Sequence, residues 1–105
     1  MTTVTTMSLD ELEEKVLEWG NTKGILQGGT PSGQFAKTLE EVSELCTAIE
    51  DSNIEEIQDA IGDIVVTLIM QSGLWGLTMK NCLGAAYDVI SKRTGRLENG
   101  IFIKD

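Results

Sequence analysis

From Ser32 to Glu50 apolar side chains recur at three- and four-residue intervals, a period that fits an α-helix and excludes a strand. Phe35, Leu39, Val42, Cys46 and Ile49 form the stripe. At 100° per residue with Phe35 at zero they lie within about 40° of it, whereas Gln34, Lys37, Glu41, Glu44 and Ala48 lie between about 180° and 260°. The stripe is the expected core face, and Glu41 and Glu44 share a polar ridge with Lys37. Glu40 falls near about 140°, off that ridge, as a supporting or solvated residue.

The same period recurs on both sides. Ser8 with Glu11 makes a capping box and Met7 with Leu12 a hydrophobic staple, so a first helix starts near Leu9, carries Leu9, Leu12, Val16 and Trp19, and is expected to stop at Gly20. Residues 20–33 hold five of the eleven glycines and the one proline and read as a long loop, a lid or rim. A further helix opens at Ser52 with Glu55 or at Asn53 with Glu56, and Gly73 and Gly76 end it. Ile54, Ile57, Ile61, Ile64, Val65 and Leu68 take one of its faces, and Glu56, Asp59 and Asp63 another. Thr78 caps a last helix carrying Met79, Cys82, Leu83, Ala86 and Ile90 inward and finishing near Arg93 or Thr94. The tail RLENGIFIKD has an Asn-Gly turn signal but pieces too short for a hairpin, and is read as irregular. The expectation is one all-α domain over residues 1–105, about four helices in a bundle completed by oligomerisation, because 64–77 is too apolar for a solvated helix.

Charge and missing residue types narrow the chemistry. Seventeen acidic side chains against eight basic give a net charge of −9, which argues against binding a nucleic-acid duplex. No histidine is present, which removes Ser-His-Asp and Cys-His triads and histidine-ligated zinc. Cys46 and Cys82 lack a paired spacing and read as buried, reduced thiols. The uncharged run 64–79 is shorter than the roughly 20 residues a membrane span needs, and MTTVTTMSLDELEE is unlike a signal peptide, so a cytoplasmic location is expected.

Two helices that each present paired acids can oppose those faces across a cleft. Such carboxylates repel unless a cation neutralises them, and hard oxygen ligands select Mg²⁺, Mn²⁺ or Ca²⁺; the alternative is a merely solvated acidic face. An EF-hand loop from Asp51 fails, with Glu56 where glycine is required and Gly62 where a bidentate Glu is required. A di-iron bundle fails for want of histidine.

The sequence EEVSE at 40–44, preceded by Gln34 and Lys37 in GQFAKTLEEVSEL and followed by EIQDAIGDIVVTLI at 56–69 and AAYDVISKRTGR, resembles the MazG-like all-α nucleoside triphosphate pyrophosphohydrolases, especially small phage-borne members. The resemblance covers roughly residues 19–103. It implies hydrolysis of a nucleoside or deoxynucleoside triphosphate to monophosphate and pyrophosphate with Mg²⁺, Mn²⁺ being a possible substitute. Glu41, Glu44 and Asp63 match the family's metal ligands, and Glu40 the leading acid, so Glu40, Glu41 and Glu44 are the expected catalytic group. One position departs: the acid that usually stands three residues before Asp63 is Ala60. Asp59, one turn before Asp63, is the expected substitute ligand, with Glu56 as its rival.

Gln34, Lys37, Trp19, Tyr87, Lys92 and Arg96 are the candidate substrate-binding residues. Lys92 and Arg96 would neutralise phosphate oxygens, or merely complement a helix C-terminus, the reading favoured for Arg93. Trp19 and Phe35 would stack on a base or serve as core. The expected partners are a nucleotide and further copies of the chain, as a dimer or tetramer. The competing reading is a non-catalytic helical binding or assembly module, and a third is a sensor that binds nucleotide without turnover.

Overall fold

Each long helix begins where a short polar side chain replaces a missing backbone partner. In the computed structural model, which describes residues 4–105, Ser8 Oγ accepts the Glu11 amide and Glu11 answers with Oε1 to the Ser8 amide, opening α1 (Leu9–Thr22). Thr30 Oγ1 accepts the Gly33 amide at 3.0 Å, with Pro31 in the first turn of α3 (Pro31–Glu50). Asn53, rather than Ser52, caps α4 (Ile54–Leu74), its Oδ1 accepting the Glu56 amide at 3.2 Å. Thr78 caps α5 (Met79–Ile90) through the Asn81 amide.

α3 and α4 form the central antiparallel hairpin. Gln71 Nε2 donates to the Pro31 carbonyl at 3.0 Å near its open end, and Thr38 Oγ1 donates to Thr67 Oγ1 at 2.8 Å further in. Small residues set the approach: Ala48 and Ala60 are buried, as are Ile69 and Met70, where α1 crosses α4. The face of α3 turned to α4 is Pro31, Gln34, Thr38, Glu41, Leu45 and Ala48. This corrects the expected core face, for Phe35, Leu39, Val42 and Ile49 are 46–58% exposed, and Cys46 of the same stripe, like Cys82, is exposed rather than buried. Ile54, Ile61 and Leu68 of α4 are also exposed, and every residue of α5 after Met79 lies open to solvent.

Three boundaries also differ from expectation. α1 runs two residues past Gly20, which is not a stop but a point of close approach: a Cβ there would overlap the Met70 thioether. The chain turns instead at Gly24, with φ at 79°, and the expected long loop contains a single helical turn, α2 (Ile25–Gly28). α5 ends at Ile90 because the next amides, of Lys92 and Arg93, bond three residues back to Val89 and Ile90 and tighten the turn. The tail is an antiparallel hairpin of β1 (Gly95–Glu98) and β2 (Ile101–Lys104), with Leu97 opposite Phe102. Asn99 and Gly100 both have positive φ, 49° and 80°, the two-residue turn whose twist matches the strands it joins. Among the described residues no single helix is long and apolar enough to cross a membrane; α4 and α5 pass that test only as a pair bent by 100°.

Candidate functional site

Glu41 and Glu44 lie one turn apart on α3, and Asp63 faces them from α4. One carboxylate oxygen from each of the three lies within 4.8 Å of the others. Glu41 Oε2 is buried with no hydrogen-bond partner, while Glu44 and Asp63 open to solvent. The Glu41 carboxyl is pushed above the usual range, first by its hydrogen bond with Glu44, then by burial and the charges of Glu44 and Asp63, against the opposing charge of Lys37. Three converging hard oxygen donors, one of them otherwise unsatisfied, fit a divalent cation of the Mg²⁺ or Mn²⁺ type.

Two depressions flank this cluster. One, of about 240 Å³, runs between the C-terminal half of α1 and the α3–α4 hairpin and brings Trp19, Gln34 and Lys37 beside Glu41 and Asp63, over a floor of Thr67 and Met70. The other, of about 310 Å³, is lined by Glu44, Glu56, Asp59, Ala60 and Asp63. Asp59 and Glu56 thus both reach the rim of the cluster, and neither belongs to the tight group of three. Ala60 is 3% exposed, its methyl lying in the helix interface beneath them. Glu40 stands apart, paired at 3.1 Å with Lys37. That contact, with the charges of Glu41 and Glu44, holds the Lys37 ammonium above its ordinary pKa.

Trp19, Gln34 and Lys37 are therefore gathered at the cluster; Tyr87, Lys92 and Arg96 are not. Tyr87 lines a groove between α1 and α5 with Leu9 and Ile90. Lys92 sits in the exposed turn after α5, and Arg96 Nε is bonded to Glu98 at 3.0 Å. Phe35 lies on the uncovered face of α3.

One residue of consequence, Glu13 of α1, escaped the sequence reading. Glu13 is 7% exposed, and its two carboxylate oxygens accept the amides of Met79, at 2.6 Å, and Lys80, at 3.2 Å. It neutralises the start of α5 from a neighbouring helix. The available signal was its place in the series Glu13, Leu17, Gly20, which with Leu12 and Val16 makes the inward side of α1.

An antiparallel helix pair with carboxylates converging from both members, beside a groove carrying an aromatic and a lysine, defines an all-α protein with a cation-type acidic centre. The family follows from residues 30–99, which match the MazG nucleotide pyrophosphohydrolase domain, so the chain belongs to that family. A protein of Haemophilus phage HP1 (strain HP1c1), described as an uncharacterized 18.2 kDa protein in the rep-hol intergenic region, is 31% identical over 62 residues. That stretch is 59% of this chain and spans 38% of the length of the phage protein. No solved structure matches.

Proposed function

We propose that the chain hydrolyses a nucleoside or deoxynucleoside triphosphate to the monophosphate and pyrophosphate, using Mg²⁺, or Mn²⁺ in its place, held by Glu41, Glu44 and Asp63. The observation that carries this reading is the buried, partnerless Glu41 oxygen inside a three-carboxylate group, within the segment that matches the family. When bound, such a cation sets positive charge against the triphosphate oxygens and makes water a stronger acid. The chain's own side chains do the rest. Asp59 extends the acidic group along α4, in the place Ala60 leaves empty, with Glu56 as the alternative. Trp19 offers a face on which a base stacks, and Gln34 offers an amide to its polar edge. Lys37, held by Glu40, points its charge toward the phosphates. A carboxylate oxygen of Glu44 or Glu40 accepts the proton of the attacking water, a role that no histidine fills.

Buried Ala60 favours one second reading, a module of the same fold that binds nucleotide or assembles without turnover. A pyrophosphate-release screen across dNTPs and NTPs separates the two. Release with Mg²⁺ that EDTA abolishes supports the enzyme; no release from any of them with Mg²⁺ or Mn²⁺ supports the module. On the hydrolase reading the substrate is a small nucleotide met away from membranes, and on either reading the assembly is a homo-oligomer, a dimer or tetramer.

A further inference from the structure

Thr38 and Thr67 join α3 to α4 through their hydroxyls, at 2.8 Å, in the interior of the hairpin. Thr38 stands one turn before Glu41 on α3, and Thr67 one turn after Asp63 on α4. The helices run antiparallel, so the pair lies one level away from the place where Glu41 and Asp63 converge. Thr67 is buried and Thr38 half-buried. Both carry a second partner on their own helix: Thr67 Oγ1 donates to the Ile64 carbonyl at 2.7 Å, and Thr38 Oγ1 lies 3.0 Å from the Gln34 carbonyl.

A hydroxyl has one proton, and both of these are committed away from the acidic cluster. The Thr67 proton goes to Ile64, which leaves Thr67 as the acceptor of the Thr38 proton. Thr67 lines the same depression as Glu41, yet Glu41 Oε2 stays buried without a partner. The threonines thus cross the gap between the helices without occupying the oxygen that a cation would take. Their second partners also limit what the pair contributes to stability. With the Thr67 hydroxyl removed Thr38 still has the Gln34 carbonyl, and with the Thr38 hydroxyl removed Thr67 still has that of Ile64, so neither loss strands a buried donor. What the inter-helix bond alone fixes is spacing.

Spacing decides which ion three carboxylates can hold. Mg²⁺ keeps its oxygens at about 2.0–2.1 Å in a near-ideal octahedron, so two ligand oxygens on one ion stand at most about 4.2 Å apart. Ca²⁺ takes oxygens at about 2.3–2.6 Å in irregular shells and tolerates a wider, looser set. The oxygens of Glu41, Glu44 and Asp63 lie within 4.8 Å of one another, two from α3 and one from α4. A hairpin held at fixed separation can close that set on the smaller ion; a hairpin free to breathe suits the larger.

We infer that the Thr38–Thr67 hydroxyl pair is a positioning clasp, which sets the α3–α4 separation so that Glu41, Glu44 and Asp63 favour Mg²⁺ over Ca²⁺. This rests on the cation reading of that cluster, and the test separates the two. The full chain, without nucleotide, is loaded with Mn²⁺, and its displacement by MgCl₂ or CaCl₂ at equal ionic strength is followed by the electron paramagnetic resonance of the freed ion. Thr67→Val and, at the less buried partner, Thr38→Val are each expected to lower Mg²⁺ affinity by about 10-fold or more, as loss of a group that orients metal ligands does. Ca²⁺ affinity is expected to fall by less than about threefold, because its shell adapts. Thr67→Ser keeps the hydroxyl and is expected to keep the wild-type preference. Gln71→Leu removes the bond to the Pro31 carbonyl further along the same hairpin, and is expected to lower stability with the preference unchanged. A wild type that takes up Mn²⁺ while the folded valine variants lose Ca²⁺ as far as Mg²⁺, or keep both, overturns the clasp and leaves the cation site standing. An equal change of preference in Gln71→Leu, or failure of Thr67→Ser to preserve it, also overturns the clasp. A wild type that binds none of the three ions refutes the cation reading and the clasp with it.

Discussion

The hydrogen bond with Glu44, burial and the charges of Glu44 and Asp63 hold the Glu41 carboxyl above its ordinary range, and a pH dependence follows. The folded chain binds the Glu41 proton more tightly than the unfolded chain, whose carboxyl titrates at about pH 4.3, so metal-free stability falls as pH rises from that value through the raised folded value. Denaturant titrations in EDTA between pH 4 and 7 should show this decline, and Glu41→Gln should flatten it while abolishing turnover. Asp59→Asn should weaken the Mg²⁺ dependence of turnover far more than Glu56→Gln, because Asp59 is only one turn from Asp63; equal Mg²⁺ titrations of the wild type and Asp59→Asn would assign the vacant position to Glu56 instead. The ridge of Lys37, Glu41 and Glu44 was legible in the sequence because it needs nothing but 100° per residue. Glu13 was not, because its burial depends on the start of α5, more than sixty residues away, arriving over it.

The starts of the long helices were readable because capping is local: Ser8, Thr78 and the Asn53 alternative each act within three residues. The rotation of α3 was not, since Phe35 to Ile49 and the Gln34 to Ala48 series both have helical spacing. Ala48 and Ala60 decide it by letting the helices approach, and the more hydrophobic stripe is left outside. The hairpin was missed by weighing strand length above the Asn-Gly turn. Two substitutions test the packing. Glu13→Ala leaves the Met79 and Lys80 amides without their acceptor and should cost about 2 kcal/mol in denaturant unfolding, with faster hydrogen exchange confined to the start of α5. Gly20→Ala drives a methyl into Met70 and should cost about 1–3 kcal/mol.

Across the whole molecule, the acidic cleft and the bare apolar stripes lie on different sides of the α3–α4 hairpin, so an assembly can cover one without closing the other. Phe35, Leu39, Val42 and Ile49 of α3, with Ile54, Ile61 and Leu68 of α4, expose apolar side chains of the kind that mark an interaction surface. Sedimentation at micromolar concentration should therefore give at least twice the 11.4 kDa chain mass, and Leu39→Glu should lower it; a monomer at that concentration would refute the assembly. The −9 charge should keep these assemblies off duplex DNA at physiological salt.

The central claim is that Glu41, Glu44 and Asp63 form the centre that splits a nucleoside triphosphate into monophosphate and pyrophosphate. Its most direct test is product analysis by ³¹P NMR, with the wild type and Glu44→Gln each incubated with the dNTPs and Mg²⁺. The account predicts paired pyrophosphate and monophosphate signals from at least one dNTP with the wild type, and neither with folded Glu44→Gln. Diphosphate with free phosphate as products, or undiminished turnover by Glu44→Gln, would contradict it.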